Sequence, residues 1–138
     1  CTGPRHARAI LVHPDVQAAV LETSAAGILR GGLAFDMCDV GVVTNIGQGD
    51  FVGLDDIDSP ERMVWVKRSV IDVVMPQTGM AVLNAQDPLS ASMGQYSRGK
   101  VTYFADAAKD PVIDLHRHLD GGVRREMTVR SSSETSPS

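Results

Sequence analysis

Ser59-Pro60-Glu61-Arg62-Met63-Val64-Trp65-Val66-Lys67-Arg68-Ser69-Val70-Ile71-Asp72-Val73-Val74-Met75-Pro76-Gln77-Thr78-Gly79-Met80-Ala81-Val82-Leu83-Asn84 is the stretch from which the fold can be read. Ser59 suits a helix N-cap, Pro60 fits the first helical position, and Glu61 favours the positive end of the helix dipole. Met63, Val66, Val70, Val73 and Val74 then recur at helical spacing, and Pro76 and Gly79 close the segment. The run that follows, Met80 to Asn84, is short, apolar and continuous, as a strand covered on both faces should be.

The same design recurs on either side. Val40-Gly41-Val42-Val43-Thr44-Asn45 precedes the helix, and Val101-Thr102-Tyr103-Phe104 follows the second run. Further upstream, Ala18-Ala19-Val20-Leu21-Glu22-Thr23 predicts a first visible strand. The runs end in residues such as Glu, Thr or Asn, and in an open α/β sheet ligands bind at the carboxyl ends of strands. Shorter helices are predicted over 4–11, 88–93 and 112–119. The order helix, strand, strand, helix, strand, helix, strand suits right-handed crossovers in a doubly wound, mainly parallel α/β sheet. No internal repeat occurs.

A length of 138 residues suits one domain able to bury a core. With 43% hydrophobic and 22% charged residues, wholesale disorder is excluded. The organisation expected is one partial domain over 1–130 and a low-complexity, disordered tail over 131–138. A net charge of -4 argues against a nucleic-acid partner held by bulk charge. No apolar run approaches the roughly 18 residues that a membrane span needs, and no signal peptide is evident. Two cysteines, Cys1 and Cys38, are too few for a disulfide scaffold and fit a reducing cytoplasm. The chain opens Cys1-Thr2-Gly3-Pro4 rather than with Met, which suggests processing or a piece of something longer. Neither G-x-x-x-x-G-K-[ST] nor G-x-G-x-x-G occurs. The pattern alone therefore predicts an incomplete nucleotide-type fold without its first strand or phosphate cradle, and identifies no reaction.

Several strings go further. Cys1-Thr2-Gly3-Pro4, Ala18 with Val20-Leu21-Glu22-Thr23, Gly27-Ile28-Leu29-Arg30, Gly32-Leu33-Ala34-Phe35-Asp36, Cys38-Asp39-Val40 and Val43-Thr44-Asn45-Ile46 run in one order. Leu83-Asn84-Ala85 and Asp87-Pro88-Leu89 come later. Together they resemble the Mur-ligase-like, ATP-binding central domain of the cyanophycin synthetases, over roughly residues 1–130. The resemblance implies a cytoplasmic ligase that attaches arginine to the side-chain carboxylates of a polyaspartate (cyanophycin) primer. In such a ligase MgATP activates a carboxylate as an acyl phosphate, which the amine then attacks. Only the later part of the ATP-binding domain is matched.

The resemblance also implies site residues. Glu22 matches a glutamate that helps hold magnesium near the phosphates; the bland alternative is a solvated carboxylate at a strand end. Lys67 matches a lysine that many Mur ligases carbamoylate in support of a metal, whereas position alone suggests a lysine snorkelling to solvent beside an apolar stripe. Asn45, Asn84 and Asp87 fall on loops of the nucleotide-binding domain and are expected to contact ATP, Asn84 and Asp87 on its adenosine side, although Asp87 before Pro88 also reads as a plain helix cap.

Three departures from the family pattern stand out. Where the family reads E-T-A-R-G-G-I-L-R, this chain has Ala25 and Ala26 in place of the arginine and the first glycine. If that glycine needs positive φ, Ala26 is strained. Where the family reads D-H-L-G, Phe51 replaces the histidine placed to bind a second metal. Gln86 stands in the usual N-A-D-D-P loop. His116 and His118, two apart on a helix, point to different sides and suit no shared metal. Cys38 is expected to be buried rather than reactive.

Two function classes follow. One is a segment of an ATP-dependent amide ligase, inactive by itself. The other is a non-catalytic truncated or decayed product, or an interaction module, whose exposed sheet edge would favour homo-oligomers.

Overall fold

The computed structural model describes residues 3–47, 57, 59–106 and 111–119. Phe51, Asp50 and the serine-rich tail over 131–138 lie outside the described residues. The order is α1 (Pro4–Leu11), α2 (Ala25–Gly31), β1 (Val40–Val43), α3 (Pro60–Asp72), β2 (Met80–Asn84), α4 (Pro88–Ser92) running into a 3-10 turn (Met93–Tyr96), β3 (Lys100–Phe104) and α5 (Pro111–Leu119). The three strands form one sheet in the order β1-β2-β3, and both pairs are parallel. The molecule is thus an α/β fold on a parallel sheet.

Helix α3 forms as its sequence dictates: Ser59 Oγ accepts from the Arg62 amide at 3.3 Å, with Pro60 opening the first turn and Glu61 within it. Its apolar side buries Met63 and Ile71 completely. The core against the sheet comprises Val43, Ile71, Val74, Ala81, Leu83 and Met93. A smaller cluster joins Ala25, Ile57 and Met63. The backbone of Cys38 locks the entry of β1 to the exit of α3, its amide donating to Val73 O at 2.9 Å and its carbonyl accepting from Met75 N at 3.0 Å. Gly41 permits the close approach of β1 and α3, since a Cβ there would lie 2.6 Å from Val70 O.

Two expectations are corrected. Residues 18–23 form no strand, and Val20 stands fully exposed. A β-strand persists by pairing, and among the described residues β1 pairs only with β2. The segment instead leads into α2, which the sequence reading lacked. Ser24 caps α2 by accepting from Gly27 N at 3.1 Å, and Gly32, at φ 70°, ends it. Ala26 lies within this helix and has no positive φ, so its replacement of glycine carries no strain. The second correction concerns coverage. Gly41 and Val43 of β1 are buried, but Val40 and Val42 on the opposite face are 55% and 50% exposed. Among the described residues, one side of β1 is therefore open. No helix among them is long and apolar enough to cross a membrane.

Candidate functional site

The carboxyl ends of β1 and β2 bring Asn45, Lys67, Asn84 and Asp87 into one hydrogen-bonded corner. Asp87 is the N-cap of α4, its Oδ1 accepting from Leu89 N at 3.2 Å with Pro88 at the first helical position. Its Oδ2 accepts from Ile46 N at 2.7 Å, reaching back 41 residues to the loop after β1. Both carboxylate oxygens are thereby engaged by backbone amides. Charge-assisted bonds of this kind are the stronger class.

Asn84 extends the clasp. Its Nδ2 donates to Thr44 O at 2.8 Å and its Oδ1 accepts from Gln86 N at 2.9 Å. Lys67, half-buried on α3, donates from Nζ to the Asn45 carbonyl at 2.8 Å. It does not simply snorkel to solvent. Beneath them lies Ser90, a residue the sequence reading passed over. It is fully buried, its Oγ donating to Val43 O at 3.0 Å and accepting from Asn84 N at 3.2 Å. A serine two residues beyond Pro88, facing a strand end, was the available signal. Buried hydroxyls need such partners, and Ser90 has one from each strand. Gln86, the departure from the family pattern, accepts the Asp106 amide at its Oε1 at 2.9 Å and so ties in the end of β3.

Glu22 stands apart from this corner in the sequence of elements. It is exposed, in the segment before Ser24 rather than at a strand end. Next to it, Ala25 is buried against Ile57 and Met63. Among the described residues, no three His, Cys, Asp or Glu side chains come together as a metal-holding group. These residues do not by themselves fit a magnesium ion, which asks for several oxygen ligands in near-octahedral array. The hydrogen-bonding atoms of Asn84 and Asp87 described above serve the chain's own backbone. Hydrogen bonds of this corner link the loops after β1, β2 and β3.

The histidine pair separates as its spacing requires. The His116 ring meets Tyr103 edge-on, with centroids 5.0 Å apart, while His118 Nδ1 lies 2.8 Å from Asp114 O on its own helix. Burial, then the nearby charge of Asp39, pushes the Cys38 thiol above its ordinary range.

No protein-family model matches the chain. Curated relatives do. The chain is 52% identical over 120 residues to the cyanophycin synthetase of Synechocystis sp., a match covering 87% of this chain and 14% of that protein. It is 40% identical to the cyanophycin synthetase of Nostoc sp., covering 87% of this chain and 13% of the relative. A more distant likeness, 30% over 106 residues, is to the UDP-N-acetylmuramoyl-L-alanyl-D-glutamate--2,6-diaminopimelate ligase of Chlamydia pneumoniae, covering 74% of this chain and 20% of that ligase. The chain thus spans 14% of the length of the first of these relatives. Over that matched stretch, it is homologous to one segment of the cyanophycin synthetase family and more distantly akin to a Mur-type ligase.

Proposed function

We propose that the chain acts as the strand-end scaffold of an ATP-dependent amide ligase, within a protein that joins arginine to the side-chain carboxylates of a polyaspartate primer. One observation carries this reading beyond homology. Asp87 bridges the β1 loop and α4 through both carboxylate oxygens, at the carboxyl ends of the strands where α/β folds receive ligands. Asn45, Lys67, Asn84 and Asp87 are positioning residues under this reading. They hold the loops of the nucleotide-facing edge, and Glu22 contributes one oxygen to a magnesium site completed by other parts of the ligase. The chain alone turns over neither ATP nor arginine.

A second reading, a non-catalytic interaction module, draws support from the open β1 face at Val40 and Val42. A chimera separates the two. The matching 120-residue stretch of the Synechocystis cyanophycin synthetase is replaced by this chain's counterpart. ADP release dependent on arginine and primer is then measured. Activity within about tenfold of the parent is expected, a loss of about 1.4 kcal/mol or less in transition-state stabilisation. A folded chimera without activity overturns the ligase-scaffold reading. ADP release by the purified chain alone would overturn the claim that it is inactive by itself.

A further inference from the structure

The acidic balance of the chain hides a local reversal. An open cleft of about 500 Å³ lies between the start of α1 and the end of α2, lined by Gly3, Pro4, Arg5, His6, Arg8, Arg30, Gly31 and Ala34. Three arginines and a histidine, all exposed, are among these residues and no acidic residue is, in a chain whose net charge is -4. Among the described residues, the side chains of Arg5, Arg8 and Arg30 make no ion pair or hydrogen bond. This contrasts with Arg68, which is held by Asp72 at 3.1 Å and stacked between Trp65 and Tyr96.

The backbone helps to shape the cleft. Gly31 seats the end of α2 directly on Pro4, since a Cβ there would come within 2.7 Å of the proline Cγ. Ala7 is buried beneath. Arg30, in the last turn of α2, is thereby brought to the same opening as Arg5 and Arg8 on α1. Guanidinium groups offer planar forks of donors that match phosphate and carboxylate oxygens in pairs. Three of them around one opening create a local positive field.

We infer that the α1/α2 cleft binds a small oxyanion carrying more than one negative charge, with Arg5, Arg8 and Arg30 as its ligands. This site is separate from the clasp at the strand ends and does not depend on the ligase reading. A singly charged anion would leave most of the positive charge of the three guanidinium groups uncompensated. A multivalent one engages all three.

The test is an amide NMR titration of the ¹⁵N-labelled chain, at constant ionic strength, with inorganic pyrophosphate and separately with succinate. Saturable shifts are expected at Arg5, His6, Arg8, Arg30, Gly31 and Ala34. Saturation by pyrophosphate alone identifies the oxyanion as phosphate-based, and saturation by succinate alone identifies it as a dicarboxylate; either supports the site. In the R8Q/R30Q double variant the dissociation constant should rise at least about tenfold with the rest of the spectrum unchanged. If that variant does not fold, R30K serves instead, with a several-fold weakening expected from loss of the fork at preserved charge. Linear, non-saturating shifts with both anions overturn the inference, as does undiminished affinity in the folded variant.

Discussion

The carboxylate of Asp87 accepts the amide of Ile46 at 2.7 Å across 41 residues of sequence. The same side chain caps its own helix through Leu89 N. One short residue thus closes the β1 loop and begins α4 together. An alanine at this position would leave two part-buried amides without their acceptor. D87A is therefore expected to lose about 2–3 kcal/mol of stability, read as a lower urea midpoint, while D87N should lose less because its remaining oxygen still accepts. An unchanged midpoint in D87A would show that water replaces the carboxylate without cost.

Lys67 tests whether the corner is a clasp or a reactive group. Its ammonium donates to the Asn45 carbonyl at 2.8 Å. K67M keeps the apolar stem and removes the donor, so a stability loss of about 1 kcal/mol is expected, with the Asn45 amide shifted in the NMR spectrum. In the Synechocystis chimera, a positioning role makes K67R a partial rescue. Recovery of K67A activity by added short carboxylic acids would instead indicate that a carbamate had been supplied at this lysine.

Gly41 sets the distance between sheet and helix. A methyl group there would lie 2.6 Å from Val70 O and 2.8 Å from Val74 Cγ2. Neither can retreat easily, because Val70 O is helix backbone and Val74 is fully buried. G41A should cost about 1–3 kcal/mol, the usual penalty for overpacking. Loss of helical circular dichroism on heating reads the unfolding. A melting temperature equal to that of the unaltered chain would contradict the observed β1–α3 packing.

Cys38 supplies the pH dependence. Burial, then Asp39, holds its thiol above the ordinary value, so little thiolate exists near neutrality. In a C1S background, alkylation of Cys38 at pH 7.5 should be markedly slower than in the urea-unfolded chain and should accelerate above pH 9. The folded chain keeps the thiol protonated where the unfolded chain has begun to lose its proton. The contribution to stability is therefore complete below the ordinary thiol pKa and is lost as pH rises through the raised folded value. Equal alkylation rates in the folded and unfolded chain would refute this.

Local chemistry made much of the architecture legible. Helix α3 was readable because Ser59 and Pro60 satisfy or dispense with orphan amides at its start, and because Met63, Val66 and Val70 recur at helical spacing; the burial of Ile71 beside Met63 emerged only in the fold. Strands β1, β2 and β3 were readable as apolar runs of β-branched and other large residues, and the Asp87-Pro88 cap as a short-range signal. The run over 18–23 misled because apolar content does not pair a strand; only a neighbouring ladder does. Helix α2 was missed because two glycines lie within its seven residues, which weakens the propensity that would announce it.

What only the tertiary structure decided is the work of the side chains at the strand ends. Sequence placed Asn45, Lys67, Asn84 and Asp87 on promising loops, but their partners lie as many as 41 residues away along the chain. Hydrogen bonds depend on distances of about 3 Å and on direction, and neither is encoded by spacing across a β-α-β crossover. The same holds for the cleft of Arg5, Arg8 and Arg30, which exists because Gly31 lets α2 rest on Pro4. Periodicity and caps are local properties that a linear sequence carries by itself. The joining of distant charges and backbone amides required the folded chain.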